Sequence, residues 1–201
     1  MQRKLWEDEG TLDLHDASIT IHREYFPASK ADTYLQELRK IRWKQKKIVV
    51  FGKKHLEPRE TAWYGDGGIS YTYSGVTHTA RPWIPVLAEI REDIMNTIHA
   101  SFNSVLLNRY RDGQDGVAWH ADDELELGDH PIIASVSLGQ TRCFQIRRKQ
   151  TPKEIVSLNL HHGDLVVMSG DTQKFWEHQV PKTKQKVAER INLTFRKIHH
   201  G

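Results

Sequence analysis

The second half of the chain is a succession of short β-prone runs, and that texture restricts the possible folds more than any other feature. The runs occupy 104–110, 132–138, 142–148, 155–160, 164–169, 175–180 and 189–197. Turn signals separate them at Asp112-Gly113, Gly128, Gly139, His162-Gly163 and Gly170. Many short strands at this spacing form an antiparallel sandwich or jelly roll. Before residue 100 the pattern differs. Residues 17–25 alternate, with Ile19 and Ile21 against Thr20 and His22, and read as a strand. Residues 29–42 read as a helix, with Ser29 and Asp32 resembling a capping box and Tyr34, Leu35, Leu38 and Ile41 at helical spacing. A short apolar strand over 47–51 ends at Gly52, and the stretch from Glu57 to Gly75 is turn-rich and aromatic. Pro82 and Pro85 open a helix to about residue 100, with Val86, Leu87, Ile90, Ile94 and Ile98 on one face. The expected class is α+β: N-terminal helices packed on one sheet of a double-stranded β-helix. With no repeat or Pro/Ser-rich linker, 1–201 reads as a single domain, 1–100 forming the helical layer and 101–201 the jelly-roll core.

Composition excludes several alternatives. Hydrophobic residues at 38% support a core, and no apolar run reaches the length of a bilayer span. The N-terminus lacks the apolar stretch of a secretory signal, and Cys143 stands alone, so neither a disulfide nor a thiolate zinc cluster can form within the chain. A soluble, intracellular, monomeric protein is expected. The net charge of +3 matters only because it is clustered. Basic residues crowd 39–54 with no acid among them, and recur at Arg147, Arg148, Lys149, Lys153 and at Lys182, Lys184, Lys186. Grouped this way they can meet a polyanion such as nucleic acid.

Two constellations carry chemistry. In extended chain His120 and Asp122 project from one face, and a later strand carries His178. Two histidines and one carboxylate with open positions suit non-haem Fe(II), and a zinc hydrolase with the same ligands is the alternative. The second constellation is Arg-Ile-Asn-Leu-Thr-Phe-Arg at 190–196. Alternation sends Ile191, Leu193 and Phe195 to a core and Arg190, Asn192, Thr194 and Arg196 to the opposite face. That second face suits either water at a sheet edge or a buried small dianion held by paired guanidinium groups. Asn108 and Tyr110 offer polar groups at the same alternate spacing on another strand.

Together these residues resemble the AlkB family of Fe(II)/2-oxoglutarate-dependent dioxygenases, in particular its DNA-repair members acting on duplexes. The resemblance spans about 45–198. It rests on Val-Phe-Gly-Lys at 50–53, Tyr-Gly-Asp at 64–66, Tyr-Thr-Tyr-Ser-Gly at 71–75, Arg-Pro-Trp-Ile-Pro-Val-Leu from 81, Asn-Arg-Tyr from 108, His-x-Asp-Asp-Glu from 120, Pro-Ile-Ile-Ala-Ser-Val-Ser from 131, His178 and the 190–196 strand. It implies iron on His120, Asp122 and His178, and 2-oxoglutarate against Asn108, Tyr110, Arg190, Asn192, Thr194 and Arg196, with Arg190 at the distal carboxylate. It further implies O2 as oxidant and release of succinate, CO2 and formaldehyde from 1-methyladenine or 3-methylcytosine in DNA. The substrate contacts it implies are a wedge at Val50, Phe51, Gly52 and Lys53, a basic contact at Arg59, a base-stacking lid at Tyr71, Tyr73 and Ser74, and Asp123 and Glu124 beside the metal.

Three departures accompany the resemblance. The loop near 147–154 is shorter, Tyr73 replaces a phenylalanine, and the N-terminal extension of eukaryotic members is missing, so a bacterial cytoplasmic enzyme is expected. The alternatives are an RNA demethylase or other enzyme of the same fold, and a non-catalytic nucleic-acid-binding module.

Overall fold

The computed structural model describes residues 3–6, 9–50, 53–73 and 76–199; of 3–6, 48–50, 53–54, 71–73 and 76–78 only the backbone is described. The first half contains β1 (Arg3–Trp6), β2 (Gly10–Thr11), β3 (Ser18–His22), α1 (Ala28–Arg39), β4 (Lys47–Val50), β5 (Lys53–Leu56), β6 (Glu60–Gly65), β7 (Ser70–Tyr73), β8 (Val76–Thr79) and α2 (Pro85–Ile98). The second half contains β9 (Ser104–Tyr110), β10 (Val117–His120), β11 (Ile133–Gly139), β12 (Arg142–Arg148), β13 (Ile155–Leu160), β14 (Leu165–Ser169), α3 (Thr172–Phe175), β15 (Trp176–Val180) and β16 (Arg190–Arg196).

Among the described residues two large sheets form a jelly roll. One runs β1-β13-β12-β15-β10 and the other β2-β3-β14-β11-β16-β9-β6. Pairing is antiparallel throughout except between β1 and β13, which run parallel. Strands from the first hundred residues complete both sheets: β1 pairs with β13, β3 with β14 and β6 with β9. The hairpins β4–β5 and β7–β8 stand apart as two-stranded sheets.

The core has two parts, one on each face of the larger sheet. Leu38 of α1 and Leu87, Ile90 and Ile94 of α2 pack against Val105, Leu107, Val136, Ile191, Leu193 and Phe195. This layer explains why both helices form, since each supplies one apolar stripe and the sheet supplies its partner. Between the two sheets lie Ile19, Ile21, Tyr110, Ile133, Val166 and Met168 facing Phe144, Ile146, Leu158, Trp176 and Val180.

Two local expectations are corrected. No capping box starts α1: Pro27 occupies the N-cap with φ −53° and no side chain caps the first turn. Ser29 lies one residue inside the helix, where its carbonyl accepts from the Thr33 hydroxyl at 3.0 Å, and Asp32 faces His162 at 3.3 Å. The aromatic stretch after Glu57 is also more regular than its glycines suggest. Most of it forms β6 and β7, with β6 hydrogen-bonded along β9.

Candidate metal and dianion site

The site lies where the smaller sheet faces β16. His178 sits in β15 between β12 and β10, directly across from His120. A register shift between Val117 and His120 marks a bulge in β10, a device that re-aims a side chain at the end of a short strand. The regular strand stops at His120, and Asp122 follows in irregular chain. The Asp122 main-chain N–H is fixed by Gln173 of α3, whose Oε1 accepts at 2.9 Å. The outcome is a set of three ligand atoms, one each from His120, Asp122 and His178, all within 4.8 Å of one another.

Protonation suits a divalent cation. His120 Nδ1 bonds the Ala118 carbonyl oxygen at 2.8 Å, which it can do only as a donor, so in the neutral ring Nε2 is the nitrogen that carries the lone pair. Burial, with His120 beside it, pushes His178 down to about 4, so its imidazole is neutral. Burial alone would raise Asp122, but the Arg196 guanidinium beside it leads the opposing charges that hold the carboxyl below the usual range. One carboxylate oxygen, Oδ1, accepts from Arg196. The other, Oδ2, is buried with no hydrogen-bond partner, an arrangement that is costly unless a cation takes it. The donor set therefore fits a non-haem iron.

The polar face of β16 continues from Arg196 into the space between the sheets. β16 is central, flanked by β11 and β9, so the water-facing edge reading of this strand is excluded. Arg190 is 1% exposed. Its Nη2 donates to Ser137 Oγ and Asn192 Oδ1 at 2.8 Å each, while Nε and Nη1 are buried without an acceptor. Burial pushes this guanidinium down to about 10, with Tyr110 acting in the opposite direction. The Tyr110 ring lies 5.4 Å from it. Burial raises the phenol of Tyr110, against the pull of Arg190, Arg59 and Arg142. Asn192 Nδ2 donates to Thr194 Oγ1 at 2.9 Å, and Asn108 stands opposite Asn192 across the ladder. A buried cation with neutral partners and spare donors fits a small dianion such as 2-oxoglutarate.

The remaining expected positions divide. Arg59 donates from Nε to Asn108 Oδ1 at 2.9 Å and lies 3.6 Å from Glu57. Asp123 accepts from Lys149 Nζ at 3.0 Å, and Glu124 is exposed beside it. Phe51, Gly52 and Ser74 lie outside the described residues, as do the side chains of Val50, Lys53, Tyr71 and Tyr73. Sequence reasoning gave no individual role to Gln173, Ser137 or Arg142. Arg142 is buried and donates to the carbonyls of Asp112, Asp115 and Pro181, which makes it a brace between loops.

A family model described as the 2OG-Fe(II) oxygenase superfamily matches residues 18–196. The DNA oxidative demethylase ALKBH2 of Homo sapiens is 43% identical over 194 residues, covering 91% of this chain and 73% of that protein. Its Mus musculus counterpart is 46% identical over 159 residues, covering 76% of this chain and 66% of that protein. The alpha-ketoglutarate-dependent dioxygenase alkB homolog 3 of Mus musculus is 40% identical over 191 residues, 90% of this chain and 66% of that protein. Among solved structures, "The structure of OsALKBH1" superposes with a TM-score of 0.66 at 17% identity, covering 93% of this chain and 99% of that one.

Proposed function

The chain belongs to the AlkB-type branch of the 2OG-Fe(II) oxygenase superfamily, and from that premise we propose that it is a DNA repair enzyme that oxidatively demethylates N-alkylated bases such as 1-methyladenine and 3-methylcytosine. Its cofactor is Fe(II), with 2-oxoglutarate and O2 as cosubstrates. The observation that carries the reading is the pairing of two incomplete sites. A carboxylate oxygen of Asp122 lacks a partner beside two histidines, and a buried guanidinium of Arg190 lacks an anion. Each is the complement of one half of an iron and keto-acid cosubstrate system.

The roles of the side chains follow from their chemistry. His120, Asp122 and His178 would hold the iron, with the Ala118 carbonyl fixing the His120 tautomer and Gln173 fixing the Asp122 backbone. Arg190 would take the distal carboxylate of 2-oxoglutarate, with Tyr110, Asn108, Asn192 and Thr194 lining the path toward the metal. Arg196 bonds Asp122 and stands at the metal-bound end. When bound, iron with its cosubstrates supplies the oxidation of the methyl carbon, which departs as formaldehyde. The protein's part is to orient the methyl group and exclude water.

Substrate delivery rests on the segment around Phe51 and on the aromatic hairpin. A methylated base in a duplex must leave the stack, and an apolar wedge at Phe51 amid basic residues would fill the gap it leaves. Tyr71 and Tyr73 would stack on the flipped base, and Asp123 and Glu124 would favour its positive charge. Duplex DNA is therefore the preferred substrate, and single strands are accepted. Among the described residues no helix is long and apolar enough to cross a membrane. The test is anaerobic assembly with Fe(II) and 2-oxoglutarate, then addition of O2 and an oligonucleotide carrying one 1-methyladenine. Stoichiometric formaldehyde and succinate are expected. Succinate with no formaldehyde from any methylated DNA or RNA would refute the demethylase reading.

A further inference from the structure

Arg59 follows the basic run at 39–54, and the resemblance makes it a basic contact to DNA, yet its Nε–H is spent on Asn108 Oδ1 at 2.9 Å. The segment that carries it is held from several sides. The Glu57 N–H donates to the Lys46 carbonyl at 2.8 Å and the Glu57 carbonyl accepts from Gln45 Nε2 at 2.8 Å. The Pro58 carbonyl accepts from the Gly116 N–H at 2.8 Å, just ahead of β10. Gly116 is itself packed against the end of β15, where a Cβ would come within 2.6 Å of the Val180 carbonyl oxygen. Arg59 itself is mostly buried, with 20% side-chain exposure, and Glu57 lies 3.6 Å away. A side chain anchored in this way has little freedom to follow a flexible nucleic-acid backbone.

The bond to Asn108 has a directional consequence. An asparagine amide offers one acceptor oxygen and one NH2 donor, whereas a guanidinium only donates. Arg59 can therefore bond Asn108 in a single amide orientation, with Oδ1 toward Arg59 and the NH2 turned away. Asn108 stands in β9 opposite Asn192 of β16 on one side and Thr61 of β6 on the other, and two residues before Tyr110. Alternation puts Asn108 and Tyr110 on the same face of the strand. An unanchored amide would present its oxygen to a dianion about as readily as its NH2, and the oxygen repels. The positive charge of Arg59 also reaches Tyr110, where it acts with Arg190 and Arg142.

We propose that Arg59 is a positioning residue of the 2-oxoglutarate pocket, which locks the Asn108 amide so that its NH2 faces the cosubstrate. The proposal rests on the cosubstrate reading given above. It couples the base of the β4–β5 hairpin, through one hydrogen bond, to the pocket between the sheets.

The test is calorimetric titration of 2-oxoglutarate into the full chain loaded with Mn(II), with no DNA and no turnover. Arg59→Leu is expected to weaken binding by about 5- to 10-fold, the scale of one misdirected hydrogen bond to a charged ligand. In an Asn108→Ala background the same substitution is expected to change affinity by less than about 2-fold, because Arg59 then has no amide to orient. Arg59→Met is the second apolar replacement, and melting of each ligand-free variant checks that the fold is kept. Unchanged DNA-free affinity in Arg59→Leu, or an equal loss with and without Asn108, would overturn the proposal. Failure of the wild-type chain to bind 2-oxoglutarate would instead overturn the underlying reading, and this proposal with it.

Discussion

Replacing Arg190 with methionine should make the ligand-free protein more stable while removing its response to 2-oxoglutarate. The guanidinium is 1% exposed, and its hydrogen-bond partners, Ser137 and Asn192, are neutral. Burial pushes it down to about 10, below the ordinary arginine value. A group whose folded value lies below its unfolded one destabilises the fold at every pH where it is charged in both states. Pure protonation linkage relieves that cost only as pH rises above about 10 toward the ordinary arginine value, so at pH 7 the full penalty applies. At about 1.4 kcal/mol per unit it amounts to roughly 3 kcal/mol. Methionine is unbranched, of similar reach and uncharged, so it removes that penalty. It also forfeits the bonds to Ser137 and Asn192, at about 1 kcal/mol. The net gain is then about 1–2 kcal/mol, or roughly 2–8 °C in melting temperature for a chain of this size.

Ligand response should move in the opposite direction. At a 2-oxoglutarate concentration 100 times its Kd, the wild-type fold gains about 2.7 kcal/mol by mass action. The variant has no fork for the distal carboxylate and should gain nothing measurable at the same concentration. Differential scanning fluorimetry with Mn(II), with and without 2-oxoglutarate, reads both effects. The refuting result is a methionine variant that melts below the ligand-free wild type, or that still shifts with 2-oxoglutarate. The first would mean that Arg190 is a satisfied structural cation; the second, that the dianion binds elsewhere.

His120→Ala, Asp122→Ala and His178→Ala should each abolish succinate formation while far-UV circular dichroism retains the strand signal, and full turnover by any one at limiting iron would break the triad. Of the three, Asp122→Ala should melt lowest, because it leaves the half-buried Arg196 without its carboxylate. Gln173→Leu should weaken Mn(II) binding by about 10-fold through the loosened Asp122 backbone, and an unchanged titration would show that the loop holds itself. Burial raises the Asp115 carboxyl, but the two-pronged contact from Arg111 brings it below its ordinary value. Its contribution is thus complete above the unfolded value of about 3.9 and lost as pH falls through the lower folded one. Asp115→Asn should therefore be less stable than wild type at pH 7, with the difference shrinking toward pH 3; parallel melting profiles would contradict this. Phe51→Ala should cut formaldehyde release from a methylated duplex by at least ~10-fold and change single-strand activity little, and equal losses on both would exclude a wedge.

The contrast between what sequence patterns carry and what they do not is visible within the site itself. Strand β16 was legible because both its faces are constrained at period two, and Ile191, Leu193 and Phe195 are all buried as that alternation requires. The same alternation could not say whether Arg190 and Asn192 face water or a ligand. Only the pairing of β16 with β11 on one side and β9 on the other decides it. His120 and Asp122 were legible as a local motif, although the reason they converge is a bulge and a bond from Gln173, 51 residues away. The capping pattern at Ser29 misled because Pro27 already supplies the backbone angle that begins the helix, leaving Ser29 inside the first turn.

Arg59 marks the sharper limit. A periodic element announces itself through many residues, but a long-range side-chain bond involves one residue at each end and leaves no spacing to detect. From sequence, Arg59 contributes only a positive charge, which the resemblance assigns to a contact with DNA. Geometry spends its Nε–H on Asn108, 49 residues later, before any phosphate arrives. Since an arginine has only donors and an asparagine a single acceptor oxygen, that one contact fixes the orientation of the amide. A residue that the resemblance assigns to the DNA surface is thereby tied to the interior pocket as well, and the DNA-free titration separates the two roles because only one of them operates without nucleic acid.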